Sequence, residues 1–434
     1  MKKVLVIYFQ ILALSLIGQN YLIKDVNIIP IYKNEVLRKQ SILIEDGVIS
    51  QIGNYKEVKK LASGNKHKVI NAKGNYVMPG LADMHVHLAE DSLISFQLQN
   101  YIAAGVTNIR VMDSKANQLS VLAKKRDAKF PISPNVFFSK VIKRDESYSK
   151  NQADSLMFTV KQSGFSFIKL FGLSDENTFF NLMNSAKEHH VIVCGHYPIY
   201  RQFGKAVMIS MDTVLKYGYK SIEHLGGYTN YPETEFENLV SQTKKWNVFN
   251  CPTIDWDIIS YDLLYPDEYK NRLTYTILPQ SKIDDWESEY EKAIEKAGGK
   301  EKVIESRDKY KSTYDKKIKV LEMLYESHCE LLIGGDAGNT FQEEGYNVYE
   351  EMVNWSKIGI DNYTILKSAT NNSAHFFEQD SEWGVIKKGA KGDIIILDKN
   401  PLEDIKNIAT VKYTICAGVL YANSDLMKLK EYKN

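Results

Sequence analysis

The chain has 434 residues, with 55 Lys or Arg against 54 Asp or Glu and a net charge of +1 when histidine is neutral. That length buries at least one large core; at roughly 100–200 residues per domain it divides into two or three, unless a closed α/β barrel of about 250 residues takes most of it. Balanced charge argues against nucleic acid or an anionic membrane surface as a partner. Cys194, Cys251, Cys329 and Cys416 lie far apart, with neither a CxxC motif nor a clear disulfide framework.

Residues 1–20 have the layout of a secretory signal peptide. Met1-Lys2-Lys3 is followed by an apolar stretch over 4–17 and then by Gly18-Gln19-Asn20. The stretch is short of the roughly 20 residues that a membrane span needs. An uncleaved anchor is the alternative, because Leu16 is a poor match to a small residue upstream of the cut. The expectation is a secreted or periplasmic protein with no stable membrane association after cleavage.

Residues 21–78 read as short strands at 21–23, 41–44 and 48–52, with Asp46-Gly47 as a hairpin turn between the last two. The same character returns over 379–425, where Gly392-Asp393 precedes the apolar run 394–397 and Ala417-Gly418 separates 411–416 from 419–421. The two termini are expected to join in one small β-sandwich.

Between them, residues 79–378 alternate. Strand-like runs fall at 81–87, 106–112, 136–141, 165–171, 191–196, 221–225, 248–254 and 331–335, most of them separated by segments of helical character such as 179–188 and 210–219. This predicts an α/β fold, a distorted (β/α)8 TIM barrel, with a doubly wound open sheet as the alternative. The interval 255–320 is too long for a plain crossover and carries Trp256, Tyr261, Tyr265, Tyr269, Trp286 and Tyr290. Such insertions are usually lids or binding walls; a helical hairpin serving stability alone is the other reading. The Lys-rich run 311–319 reads as a solvated helix face.

The most informative segment is Met78-Pro79-Gly80-Leu81-Ala82-Asp83-Met84-His85-Val86-His87. Residues two apart on a strand project from one face, about 7 Å apart, so His85 and His87 can share one metal ion. Alone the pair is weak evidence, since polar alternation on a half-buried strand also produces it. His196, His224 and Asp336 each follow a strand-like run. In a barrel the C-terminal strand ends face one mouth, so the four histidines and the aspartate are expected to converge there. His67, His189, His190, His328 and His375 lie before or between strands and read as structural or exposed.

At this point the chain resembles the amidohydrolase superfamily, and more narrowly its imidazolonepropionase-like and Xaa-Pro dipeptidase-like branch. Beyond Pro79 to His87, the matching segments include Ala104-Gly105-Val106-Thr107, Ser221-Ile222-Glu223-His224, Cys251-Pro252-Thr253 and Gly334-Gly335-Asp336-Ala337-Gly338. Ala369-Thr370, Gly392-Asp393 and Asn400-Pro401-Leu402 continue the match, which covers about residues 21–422. The resemblance implies a barrel over 79–378 with a β-sandwich from 21–78 and 379–425. It implies two divalent ions, most readily Zn2+, with His85, His87 and Asp336 on one and His196 and His224 on the other. Lys169, carboxylated by CO2, would bridge them as a carbamate; the alternative is a single ion, with Lys169 carrying its charge to the rim.

The chemistry so implied is hydrolysis of a C–N bond by a metal-activated hydroxide, with Asp336 as the catalytic proton shuttle. The substrate would be a small amide, a dipeptide or a cyclic amide. Tyr197, Arg201 and Tyr228, just beyond the fifth and sixth strands, are the expected contacts for a substrate carboxylate; a surface role for Arg201 stays open, as does a homo-oligomer. The chain departs from its relatives after the third strand, where a Gly-Gly-His segment is missing, and at Tyr349-Glu350-Glu351-Met352, where relatives often have a histidine. Both changes lie near the substrate. A deaminase or lactonase on the same scaffold, or a secreted metal-binding relative without turnover, are the competing readings.

Overall fold

The computed structural model describes residues 19–62, 66–89, 93–114, 132–261 and 268–426. The apolar stretch of the expected signal peptide lies outside them, as does Tyr265 of the insertion.

The terminal segments pair in one mixed sheet. From the N-terminal part come β1 (Tyr21–Ile28), β2 (Leu37–Glu45), β3 (Val48–Gly53), β4 (Lys68–Asn71) and β5 (Tyr76–Pro79). The sheet runs β3-β2-β1-β5 and continues into β15 (Ile394–Leu397), β16 (Val411–Cys416) and β17 (Val419–Ala422), with β4 also on β1. Asp46 and Gly47 both have positive φ, at 50° and 77°, as the tight turn between β2 and β3 requires. Ile28, Ile44, Val77, Ile394 and Ile415 form part of a core of its own beside this sheet. Antiparallel pairing of β15 with β5 joins the two halves, and β5 leads through Gly80 straight into the barrel.

The barrel strands follow as β6 (Leu81–Val86), β7 (Val106–Val111), β8 (Asn135–Ile142), β9 (Phe167–Leu170), β10 (Val193–Gly195), β13 (Ser221–Glu223) and β14 (Phe249–Cys251). They are hydrogen-bonded in that order, every pair parallel. The expected eighth strand is the extended segment 331–336, which closes the ring although it is too irregular to count as a strand. Leu332 donates to the Asn250 carbonyl at 2.9 Å, Met84 to that of Ile333 at 2.9 Å, and Asp336 to that of His85 at 2.8 Å. Gly334 allows this closure, since a Cβ there would lie 2.5 Å from Cys251 Sγ and 2.8 Å from His85 Cβ. The ring is therefore a nearly closed parallel barrel, with helices such as Ile94–Ala103, Lys150–Gln162, Glu176–His189 and Phe236–Lys245 on its connections.

Two connections are more than plain crossovers. After β10 the chain forms a hairpin, β11 (Ile199–Gln202) with β12 (Lys205–Met208), where no strand pair was expected. After β14 the insertion forms the short helix Ile254–Ser260 and two long helices, Gln280–Ala297 and Lys300–Glu326. The Lys-rich run on the last of these is only partly a solvated face. Lys311 and Lys319 are exposed, whereas Lys317 is buried against Asp257, because its side chain turns toward the barrel mouth.

Candidate metal centre

The four histidines and the aspartate do meet at one mouth. Ring centroids are 5.4 Å apart for His85 and His87, 4.8 Å for His85 and His224, and 5.2 Å for His196 and His224. Asp336 reaches into their midst, with Oδ1 at 3.2 Å from His87 Nε2 and 3.7 Å from His85 Nε2, and Oδ2 at 3.7 Å from His224 Nδ1. Ligand atoms of His85, His87 and Asp336 all lie within 4.8 Å of one another.

The backbone is strained at two of these positions and at the neighbouring Thr253. His224, Thr253 and Asp336 have positive φ of 59°, 51° and 48°, a conformation that costs non-glycine residues energy and that clusters at functional sites. The strained turns bring the side chains at the strand ends inward over the mouth. Asp83 braces the same corner from below: its carboxylate accepts from the backbone N–H of His85 at 3.1 Å and of Gly335 at 2.8 Å. Burial pushes its carboxyl up to about 7.

Three of the rings are also held by groups outside the cluster. His85 Nδ1 faces Glu223 Oε2 at 2.8 Å, His196 Nδ1 the Phe171 carbonyl at 3.3 Å, and His224 Nδ1 Thr253 Oγ1 at 2.6 Å. With its Nδ1–H donated to Glu223, His85 turns a lone pair on Nε2 to the site, and that atom is fully buried without a hydrogen-bond partner. A buried imidazole nitrogen left bare among two histidines and a carboxylate fits a divalent cation, with imidazole and carboxylate donors of the kind zinc takes. Burial holds the His85 and His224 rings well below the usual histidine range and His196 at about 4, so these rings are neutral and able to ligate. For Asp336, burial would raise the carboxyl, but His85, His87 and Lys169 together hold it below its ordinary value.

Glu223 and Arg110 are the functional residues that sequence reasoning did not assign. Arg110 on β7 is fully buried, and its Nη2 donates to both Glu223 oxygens at 2.8 Å while Nη1 donates to Ser221 Oγ at 3.0 Å. Burial by itself would lower the guanidinium's pKa; the Glu223 charge and hydrogen bond, together with the Cys194 and Cys251 thiols, outweigh this and raise it. The carboxylate thus sits between a fixed cation and the His85 ring, which sets that ring's tautomer and orientation. A lone charge, Arg110, within the strand-like run 106–111 was the available signal, since a buried charge needs a partner.

Lys169 on β9 is 1% exposed and enters the same cavity, opposite Cys194 in the sheet register. Burial lowers its pKa, which favours the neutral amine. Its Nζ lies 5.7 Å from the centre of the Phe171 ring, itself 4.8 Å from that of His196.

The cavity above the centre has a volume of about 890 Å³. Arg201, on the rim hairpin, lines it and is exposed. The Tyr197 ring also lines it, but its hydroxyl is committed to the Ile209 carbonyl. Tyr228 is not brought to the cavity: it is fully buried, with its hydroxyl 2.7 Å from Thr243 Oγ1. The turn after β13 carries it inward behind the wall. Arg144, Trp256 and Lys317 also line it, the last two from helices of the insertion.

Comparison with known proteins agrees with this geometry. A family model described as "Amidohydrolase family" matches residues 273–421. A dihydroorotase of Staphylococcus epidermidis is 45% identical over 60 residues, 14% of this chain. That match spans only 13% of the dihydroorotase's length. Among solved structures, a Xaa-Pro dipeptidase with methionine bound in its active site is 19% identical with a TM-score of 0.66, over 93% of this chain and 100% of that one. A bottromycin amidohydrolase is 18% identical with a TM-score of 0.69, over 96% and 90%. At these identities the structures speak for the fold. Over residues 273–421 the chain is similar to the amidohydrolase family, and it carries a candidate ligand set at the mouth of a barrel of the same fold as these structures.

Proposed function

We propose that the protein is a metal-dependent hydrolase of small amides whose leaving side carries a carboxylate, such as dipeptides or N-acyl amino acids. The observation that carries this reading is the bare, buried His85 Nε2, set among His87, His224 and Asp336 at the foot of a concave cavity. His85, His87 and Asp336 would hold one ion, and His196 and His224 a second. When bound, a divalent ion supplies Lewis acidity and brings the pKa of water from about 15.7 to near 7. Asp336 is the proton carrier: with its carboxyl held below its ordinary value and a hydrogen bond to His87, it would take the proton of the attacking water and deliver it to the leaving nitrogen.

Lys169 has a second role in this reading. Its amine, kept toward the neutral form by burial, would add CO2 and lose a proton to give a carbamate, which would supply anionic oxygen donors for the metal in place of a cation. Lys169→Ala would then lose metal and activity together, with both partly restored by short carboxylic acids; full metal content in that variant would argue for a single ion. Arg201 is the contact for the substrate carboxylate, since Tyr228 does not reach the cavity and the Tyr197 hydroxyl is already committed. Among the structural relatives, one is a Xaa-Pro dipeptidase holding methionine and another a prolidase complexed with N-methylphosphonate-L-proline, which supports a compact ligand with one carboxylate. The test is a panel of dipeptides, N-acyl amino acids, cyclic ureides, lactones and deamination substrates with the metal-loaded protein. An amide with a free carboxylate is expected to be turned over fastest. Lactones or deamination substrates outrunning every amide would overturn the reaction class.

A further inference from the structure

One side of the cavity is supplied by the insertion, and it differs in chemistry from the rest. Trp256, on the helix Ile254–Ser260, has its ring centre 5.5 Å from that of His224, and Tyr261 meets Trp256 edge-on at 6.1 Å. Tyr261 is itself stacked on Tyr310 of the long helix Lys300–Glu326, at 4.9 Å and an interplanar angle of 8°. From the same long helix, Lys317 Nζ donates to both oxygens of Asp257 at 2.6 and 2.8 Å and lies 5.6 Å from the Tyr261 ring centre. Asp257 is fully buried and Lys317 only 6% exposed.

These contacts make the wall a fixed surface. The ion pair clamps the helix that bears Trp256 to the helix that bears Tyr310, and a cation against the Tyr261 ring adds to the hold. Breaking a buried pair of this kind leaves an uncompensated charge, so the clamp does not open readily. What the wall presents to the cavity, where Trp256 and Tyr261 line it, is mostly ring carbon. Its position also matters. The wall follows the seventh strand of the barrel and the Arg201 hairpin follows the fifth, two places apart round the rim. The wall is thus a quarter-turn from Arg201, and because the Trp256 ring stands 5.5 Å from that of His224, a bent substrate with its carboxylate on Arg201 and its scissile bond over His85 and Asp336 can lay its other end against the insertion.

We propose that this wall is the acyl-side subsite and selects substrates whose acyl group is flat and aromatic, such as aroyl amino acids or dipeptides that begin with an aromatic residue. The proposal rests on the reading of the cavity as an amide hydrolase site. Aromatic pairs contribute beyond simple area burial, enough to shift a rate or affinity by up to about 10-fold on top of the larger buried surface.

The experiment compares N-benzoyl and N-acetyl derivatives of one amino acid, with the binding of benzoate and acetate followed by calorimetry, on metal-loaded wild type, Trp256→Ala, Trp256→Phe and Lys317→Met. Wild type is expected to favour the benzoyl compound by at least about 10-fold in kcat/KM, and that ratio should fall to about 2 or less in Trp256→Ala. Trp256→Phe should keep most of the ratio, and Lys317→Met should lose part of it as the clamp loosens. Equal kcat/KM for the two compounds in wild type, or an unchanged ratio in Trp256→Ala, overturns the subsite; if Trp256→Ala does not fold, an unchanged ratio in both other variants does so. Where neither compound is hydrolysed the amidase reading falls, and the affinities then decide: benzoate tighter than acetate, with the difference lost on altering Trp256, upholds the wall, and equal affinities overturn it.

Discussion

The floor of the cavity and its rim hold their polar groups in different ways. On the floor, His85, Arg110, Lys169 and Glu223 are at most 1% exposed, and Glu223 alone accepts from His85, Arg110 and Ser221. On the rim, Arg144 and Arg201 stand exposed on the connections after β8 and β10, and neither forms an ion pair among the described residues. Floor groups are set by strand register and packing, so one displaced atom is felt by all the others. Rim groups are set by loops, which tolerate change and in barrels carry substrate preference. The division implies that substitutions on the floor destroy chemistry or metal binding, while those on the rim shift which substrate is used.

Asp336→Asn is the most severe test of the floor. Asparagine keeps the shape but cannot take the proton, so turnover should drop by about 10²–10⁴-fold. The melting temperature of the variant should stay close to that of wild type. Turnover within a few fold of wild type would mean that the proton travels by another group.

Glu223→Gln separates orientation from ligation. The variant keeps every metal ligand, yet loses the anion that orients His85 and balances Arg110. Metal affinity, read by competition with a chromophoric chelator, should fall about 10–100-fold. Stability should fall too, because breaking a buried pair typically costs about 3–5 kcal/mol. Adding Arg110→Met should recover part of the stability but not the affinity. Recovery of both would reduce Glu223 to a purely structural role.

Arg201→Met probes the rim. Loss of a charge-assisted hydrogen bond, worth about 1.5–3 kcal/mol, should raise KM for a free acid by about 10–100-fold and leave the methyl ester nearly unaffected. Equal effects on acid and ester would take Arg201 out of the substrate site.

The floor was the legible part of the sequence. Paired histidines at i and i+2, together with His196, His224 and Asp336 at the ends of apolar runs, are periodic signals, and strand geometry turns them into positions. The eight runs expected for the barrel all lie on its wall, including 331–335, where two glycines break the regular pattern without breaking the ring. What stayed hidden depends on partners far away in the chain. Lys317 looks like any other lysine on a highly charged helix until Asp257 is seen against it, 60 residues earlier. Arg110 and Glu223 are likewise 113 residues apart. Tyr228 sits in a turn whose direction no periodicity fixes, so its burial against Thr243 was not readable. The hairpin after β10 had one usable mark, the Gly204 beside Phe203 at its tip, both with positive φ.

The central claim, that the His85, His87, His196, His224 and Asp336 cluster is a divalent-metal centre that hydrolyses amides, is tested most directly by one titration. Protein stripped with a chelator is reloaded stepwise with zinc while bound metal per chain and hydrolysis of the best amide from the panel are followed together. The account expects an inactive stripped protein whose activity rises in proportion to bound metal and levels off at about two ions per chain. Full hydrolysis by the stripped protein, or zinc that binds at this centre without restoring any turnover, would contradict it.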